Sequence, residues 1–175
     1  MSRDLELHNR QRLRPVRLPL LRQLLRHLLL EELRLETFTL GVYLVEETEM
    51  IRLNATFLHH AGSTDVITFP DDDTPSNHRL AGEIVVCVAE AVSQAARFRA
   101  TWPSELVRYV IHGVLHLQGH DDARPGPRAK MKRAENRLLR ALDGRFPFSQ
   151  LGRPTRRTRP SPRPRARPAH STASR

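Results

Sequence analysis

The stretch His112-Gly113-Val114-Leu115-His116-Leu117-Gln118-Gly119-His120-Asp121-Asp122 constrains this chain more than any other. It closes an apolar run, Tyr109 to Leu117, that reads as a buried helix. Two imidazoles in such a run need a reason. His112 and His116 are four apart, so on a helix they lie one turn apart on one face. That spacing lets both rings reach one metal ion, as the histidine pair of zinc hydrolases does. A third ligand must come from beyond the helix. Continued to His120, the helix would carry that residue about 12 Å along its axis from His112. Zn–N distances are only about 2.1 Å. Gly119 offers the way round, because a glycine enters the left-handed region without a Cβ penalty and is a favoured helix stop. The chain then folds back and presents His120, Asp121 or Asp122 to the same ion. Three protein ligands leave a fourth position for water, the catalytic arrangement of zinc. The competing reading is a buried histidine pair satisfied by hydrogen bonds. The glycine stop and the ligands just beyond it weigh against that.

At 175 residues one domain is expected, with enough chain for a core. The net charge of +10 belongs mostly to one end. Residues 153–175 hold eight arginines and no acid, a charge of +8, which leaves +2 for residues 1–152. The single cysteine, Cys87, excludes an intrachain disulfide and fits a reducing compartment. It lies in the apolar run Ile84 to Val88 and reads as a core residue. No segment is apolar for the length that a membrane helix needs. The leucine-rich run Leu18–Leu35 is broken by Arg22, Arg26, His27, Glu31, Glu32 and Arg34, so it is no signal peptide. A cytoplasmic protein with no membrane association is expected.

In chain order, residues 1–16 read as a frayed, flexible N-terminus, with Met1 to Pro15 polar and basic. Arg17 to Glu36 carries leucines at 21, 24, 25, 28, 29 and 33, the period of one amphipathic helix packed on a sheet. Phe38–Val45 reads as a strand, then Glu49–Phe57 as a helix capped by Thr48. Asp71–Leu80 is a polar loop whose acids Asp71, Asp72 and Asp73 read as solvated. Gly82–Val88 is a strand, Ala89–Ala100 a helix, and Thr101–Glu105 opens the histidine helix with Pro103 in its first turn. A turn over Ala123–Arg128 leads to a last helix, Pro127–Asp143, stopped by Gly144. Residues 17–150 form the folded domain, and 151–175 an Arg/Pro-rich tail that cannot bury a core and is expected to be disordered.

The central stretch resembles the signature of the YbeY family, bacterial endoribonucleases of ribosomal RNA maturation, which reads His-Gly-x-Leu-His-Leu-x-Gly-Tyr-Asp-His. The match is at His112, Gly113, Leu115, His116, Leu117, Gly119 and Asp121. His120 stands at the family's aromatic position, and Asp122 where the third metal histidine stands. Aspartate is an acceptable zinc ligand, so the resemblance implies the metal set His112, His116 and Asp122. The carboxylate also suits harder cations. Further matches are Leu53-Asn54 with Phe57, the strand Ser63-Thr64-Asp65-Val66-Ile67-Thr68-Phe69-Pro70, Gly82-Glu83-Ile84-Val85-Val86-Cys87, and Gln94-Ala95. One departure matters. Where much of the family carries an arginine important for activity, this chain has Leu58, with Arg52, His59 and His60 as the nearby basic groups. His59 and His60 themselves read as a solvated loop.

The order helix, strand, helix, strand, strand, helix, helix, helix argues α+β, a small mixed sheet packed with about five helices and the metal site on a central one. Zinc proteases of the His-Glu-x-x-His type carry their general base directly after the first histidine. Here that position is Gly113, which takes no proton. A zinc ion, one per chain, still generates hydroxide and polarises a phosphoryl oxygen. The expected catalytic residues are His112, His116 and Asp121, the last as base or as orienter of a ligand. The resemblance implies a single-strand-type endoribonuclease acting at the 3′ end of 16S ribosomal RNA and in ribosome quality control. Its partners would be ribosomal RNA and the small subunit, with phosphates held by basic residues and the tail. Two alternatives are a metal-stabilised, non-catalytic ribosome-assembly factor and a metal hydrolase of another substrate, such as a peptidase.

Overall fold

The computed structural model describes residues 2–71 and 78–153. Asp72, Asp73 and residues 154–175 of the tail lie outside the described residues. Among the described residues, four strands and five α-helices follow one another: β1 (Arg3–Asn9), α1 (Leu18–His27), β2 (Thr37–Val45), α2 (Glu47–Leu53), β3 (Val66–Pro70), β4 (Arg79–Cys87), α3 (Val88–Phe98), α4 (Trp102–Leu117) and α5 (Pro125–Asp143). The sheet order is β1-β2-β4-β3. β1 and β4 both run parallel to β2, and β3 closes the other edge antiparallel to β4. This is the mixed α+β architecture expected.

Period-2 alternation in the strands divides the core in two. Phe38, Leu40, Val42 and Leu44 of β2, with Ile84 and Val86 of β4, face the main core with Leu21, Leu24, Leu25, Leu28 and Leu29. The alternate residues Val45, Val85 and Cys87 join Met50 and Ile67 in a smaller cluster on the opposite face. Cys87 is therefore a packed core thiol, and burial pushes its pKa up.

Three expectations are corrected. The N-terminus is not frayed: Arg3–Asn9 pairs with residues 38–44 of β2. Leu5 is buried and Leu7 packs on the main core, while Asp4 and Glu6 stay exposed. Gln11 is buried too and bonds Asn9 and Arg14. The long first helix ends early as well. α1 stops at His27, a π-helical turn over Leu28–Glu32 follows, and Arg34 takes a left-handed φ of 52°. Bonds from Leu33 N to Leu28 O and from Leu35 N to Leu29 O close this wider turn and turn Leu35 into the core. Finally, α2 starts at Glu47 with Glu46, not Thr48, as its cap residue. No side chain caps it; buried Met50 anchors the first turn, its amide bonded to Glu46 O.

α4 lies across the sheet because Gly113 lets it. A Cβ there would sit 2.7 Å from Ile84 Cγ2 on β4. The position after the first histidine thus faces the sheet, away from His112 and His116, and even a glutamate there would be buried against Ile84.

Candidate metal centre

Thr101 starts α4, accepting a bond from Ser104 N at 3.4 Å, with Pro103 in the first turn. Eleven of its residues are buried, so the helix is fixed on all but one side. On that side stand Arg108, His112 and His116, at successive four-residue steps. The helix ends on a Schellman motif. Gly119 has φ 85°, its N–H bonds His116 O, and His120 N–H bonds Leu115 O. This is the stop expected of Gly119, and it swings the following loop back over the two rings. Arg128 pins that loop, donating to Asp122 O at 2.7 Å and to Ala123 O at 3.4 Å.

The loop brings Asp122, and neither His120 nor Asp121, to the histidines. Asp122 carboxylate oxygens lie 3.5 Å from His112 Nε2 and 3.8 Å from His116 Nε2. One ligand atom from each of His112, His116 and Asp122 falls within 4.8 Å of the others. His120 contributes its carbonyl, which sits 3.0 Å from His116 Nδ1. Burial, helped by the charge of Lys130, lowers the pKa of the His120 ring. Asp121 Oδ1 accepts from Ala123 N at 2.8 Å, a bond that shapes the turn and holds its carboxyl below the usual range.

Whether these residues suit a cation follows from their hydrogen bonds. His112 Nδ1 lies 3.1 Å from Glu135 Oε2. A carboxylate and a carbonyl accept only, so Nδ1 of both rings carries the proton. Both Nε2 atoms then bear lone pairs when the rings are neutral, and they face each other at 3.0 Å. Two acceptors at that distance, with a carboxylate beside them, repel unless a positive charge lies between them. This fits a divalent metal, and the outward Nδ1–H bonds are those that orient metal-bound histidines. Two nitrogens and a carboxylate oxygen form a donor set of the catalytic zinc kind.

Glu135 on α5 escaped sequence reasoning. It is only 3% exposed. It accepts from Arg108 Nη1 and Lys132 Nζ, both at 2.7 Å, as well as from His112. Burial alone would raise its pKa, but the bonds from His112, Lys132 and Arg108 outweigh that and bring it to about 2. A signal existed: Glu135 interrupts the buried stripe Met131, Leu138, Leu139 and Leu142 of its helix. Arg108 was equally legible, one turn before His112 in an otherwise apolar run. Leu58 is 46% exposed, and Arg52, His59 and His60 are exposed too; none of the four lines the cleft beside His112.

Gly119→Val tests the motif glycine. A β-branched residue resists positive φ, at a cost of roughly 1–2 kcal/mol. We expect a lowered melting temperature and weakened metal binding by titration. Unaltered values of both would show that the left-handed stop is dispensable.

Among known proteins, one from Myxococcus xanthus named Endoribonuclease YbeY is 37% identical over 113 residues, covering 63% of this chain and 38% of that protein. One of the same name from Chlorobium phaeovibrioides is 42% identical over 93 residues, covering 53% of this chain and 61% of that protein. The matched stretch thus spans less than two thirds of either relative. A solution structure of a Thermotoga maritima protein superposes with a TM-score of 0.61 at 24% identity, over 89% of this chain and 99% of that one, and shares the fold. Residues 6–143 match the family described as Endoribonuclease YbeY, and the chain belongs to that family.

Proposed function

We propose that the chain is a metal-dependent endoribonuclease that cuts single-stranded RNA during ribosomal RNA maturation, at the 3′ end of the small-subunit RNA and in ribosome quality control. The observation that carries this is the pair of Nε2 lone pairs facing each other beside Asp122, in a family whose relatives bear the name endoribonuclease. His112, His116 and Asp122 hold the ion, with zinc the metal that best suits the donors. When bound, such an ion polarises a phosphoryl oxygen and lowers the pKa of water to near neutrality. Glu135 and the His120 carbonyl keep the two rings in the tautomer that ligates. Of the two roles open to Asp121, its bond to Ala123 N favours positioning, because it shapes the turn that delivers Asp122. A peptidase of the His-Glu-x-x-His kind lacks its base, since Gly113 packs on Ile84.

The test uses the purified full chain on single-stranded RNA and on a ribosomal RNA precursor, with and without a chelator, beside His116→Ala. Cleavage that chelation and His116→Ala both abolish, in a protein that stays folded, is the expected result. Cleavage indifferent to both would sink the proposal. Unfolding on metal removal without any cleavage would mark a structural ion and an assembly factor. Peptide cleavage alone would mark another hydrolase.

The tail contributes affinity, not chemistry. No helix among the described residues is long and apolar enough to cross a membrane, and the arginine excess suits phosphates. Deleting residues 154–175 should weaken RNA binding and flatten its salt dependence by about 0.7 in log–log slope for each phosphate that the tail neutralises. Binding titrations at several salt concentrations check this, and an unchanged slope would show that the tail neutralises none.

A further inference from the structure

Beside His112 the surface opens into a cleft of about 490 Å³, lined by Phe98, by the cations Arg108 and Lys132, and by four carboxylates, Glu105 and Glu135 among them. Two features of its walls are unexplained by metal binding. The first is Phe98. It follows Val88, Ala91 and Ala95 on the buried stripe of α3, a position that predicts a core residue. Yet the helix ends there, on Arg99 at φ 54°, and the Phe98 ring is carried out over the cleft with 65% of the residue exposed. Single exposed apolar residues are ordinary. This one lines the same cleft as His112. The Arg97 guanidinium lies 5.5 Å from its ring centroid and backs it with positive charge.

The second feature is the pair of cations, Arg108 and Lys132, that line the same cleft. Arg108 is held rigidly: Nη1 bonds Glu135 at 2.7 Å and Asn136 at 3.0 Å, and Nε lies 3.5 Å from Glu105. A guanidinium has five N–H donors in a fixed fork, so these bonds orient it and leave donors for an incoming oxyanion. Lys132, its side chain 56% exposed, bonds the same Glu135 oxygen at 2.7 Å and adds a second positive charge beside Arg108.

An exposed aromatic face, two cations and His112 along one cleft match the needs of one substrate class. Proteins that bind single-stranded nucleic acid stack bases on aromatic rings and hold the backbone with cations. We propose that this cleft is the track for the nucleotide next to the scissile phosphate: its base stacks on Phe98, and Arg108 and Lys132 hold its phosphate. This rests on the ribonuclease reading and deepens it, since only an unpaired base can stack on Phe98.

The test compares the full, metal-loaded chain with Phe98→Ala and Phe98→Tyr. The substrate is a short single-stranded oligoribonucleotide, intact or with one abasic nucleotide. For the intact strand, Phe98→Ala should raise KM about ten-fold, within the range of stacking losses on alanine substitution. Phe98→Tyr should stay near wild type, and metal content should not change in either. The abasic strand should bind wild type as poorly as Phe98→Ala binds the intact one. Equal KM for wild type and Phe98→Ala would overturn the track. If wild type leaves the RNA uncut, the ribonuclease reading fails, and anisotropy binding of the same strand still decides the track. Weaker binding by Phe98→Ala, restored in Phe98→Tyr, supports it; equal binding by all three overturns it.

Discussion

Asp122→Ala will lose its metal, whereas His120→Phe will keep it. The Schellman turn commits His120 twice: its N–H bonds Leu115 O, and its carbonyl accepts a hydrogen bond from His116 Nδ1–H. Both use backbone atoms of His120 and survive replacement of its ring. Asp122 presents its carboxylate to both Nε2 atoms. Groups that merely orient metal ligands are worth about 10–100-fold in affinity, so loss of a ligand itself should exceed that. Metal stoichiometry and competition against a chromophoric chelator read the outcome. Asp122→His should retain the ion, because an imidazole there completes a three-histidine set. An empty site in His120→Phe with a full one in Asp122→Ala would move the ligand set to His112, His116 and His120.

The second large effect belongs to Glu135. Glu135→Ala leaves Arg108 without its shortest ion pair and His112 without the acceptor that fixes its tautomer. Breaking a buried pair from one side costs about 3–5 kcal/mol. For a domain of this size that corresponds to roughly 10 °C in melting temperature. Acid should tell the same story in the metal-free protein. Glu135 titrates near 4.5 unfolded and about 2 folded. Its contribution is therefore complete above pH 4.5 and drains away as pH falls toward 2, about 3 kcal/mol in all. Glu135→Gln should lack that portion of the acid transition. Chemical denaturation of both proteins between pH 2 and 6 checks this, and parallel pH profiles would show that the carboxylate is not stabilised by its partners.

Much of this was legible in the sequence, for physical reasons that differ by residue. The four-residue step from His112 to His116, Gly119 as a left-handed stop, and the leucine period of α1 are local patterns, and the structure keeps each. β1 was missed because only Leu5 and Leu7 mark its inner face. An edge strand with Asp4 and Glu6 outward looks like a polar tail until its partner is known. The π-helical turn after α1 was hidden for a similar reason: leucines at 28 and 29 satisfy an α-helix and a wider turn equally. Glu135 showed as a break in the buried stripe of α5, but its role needed tertiary knowledge, since its partners Arg108 and His112 lie on another helix. The cluster of His112, His116 and Asp122 was half local. Spacing supplied two members and left three candidates for the third. Only the backbone path through Gly119 brings Asp122 to the rings, while His120 and Asp121 turn to other bonds.

The placement of Glu135 also bears on the order in which the molecule is made. The strand that receives Gly113, β4, precedes the histidine helix along the chain, so its residues are made before the three of the cluster. The clamp arrives last, 23 residues after His112, and closing a loop of that length costs little more entropy than closing one half as long, about 0.6 kcal/mol. A chain still under synthesis and short of Glu135 already carries both rings and Asp122, but no carboxylate holds His112 in its ligating tautomer. Until α5 has been added, the cluster lacks the carboxylate that orients His112, and a metal would be held there about 10–100-fold more weakly.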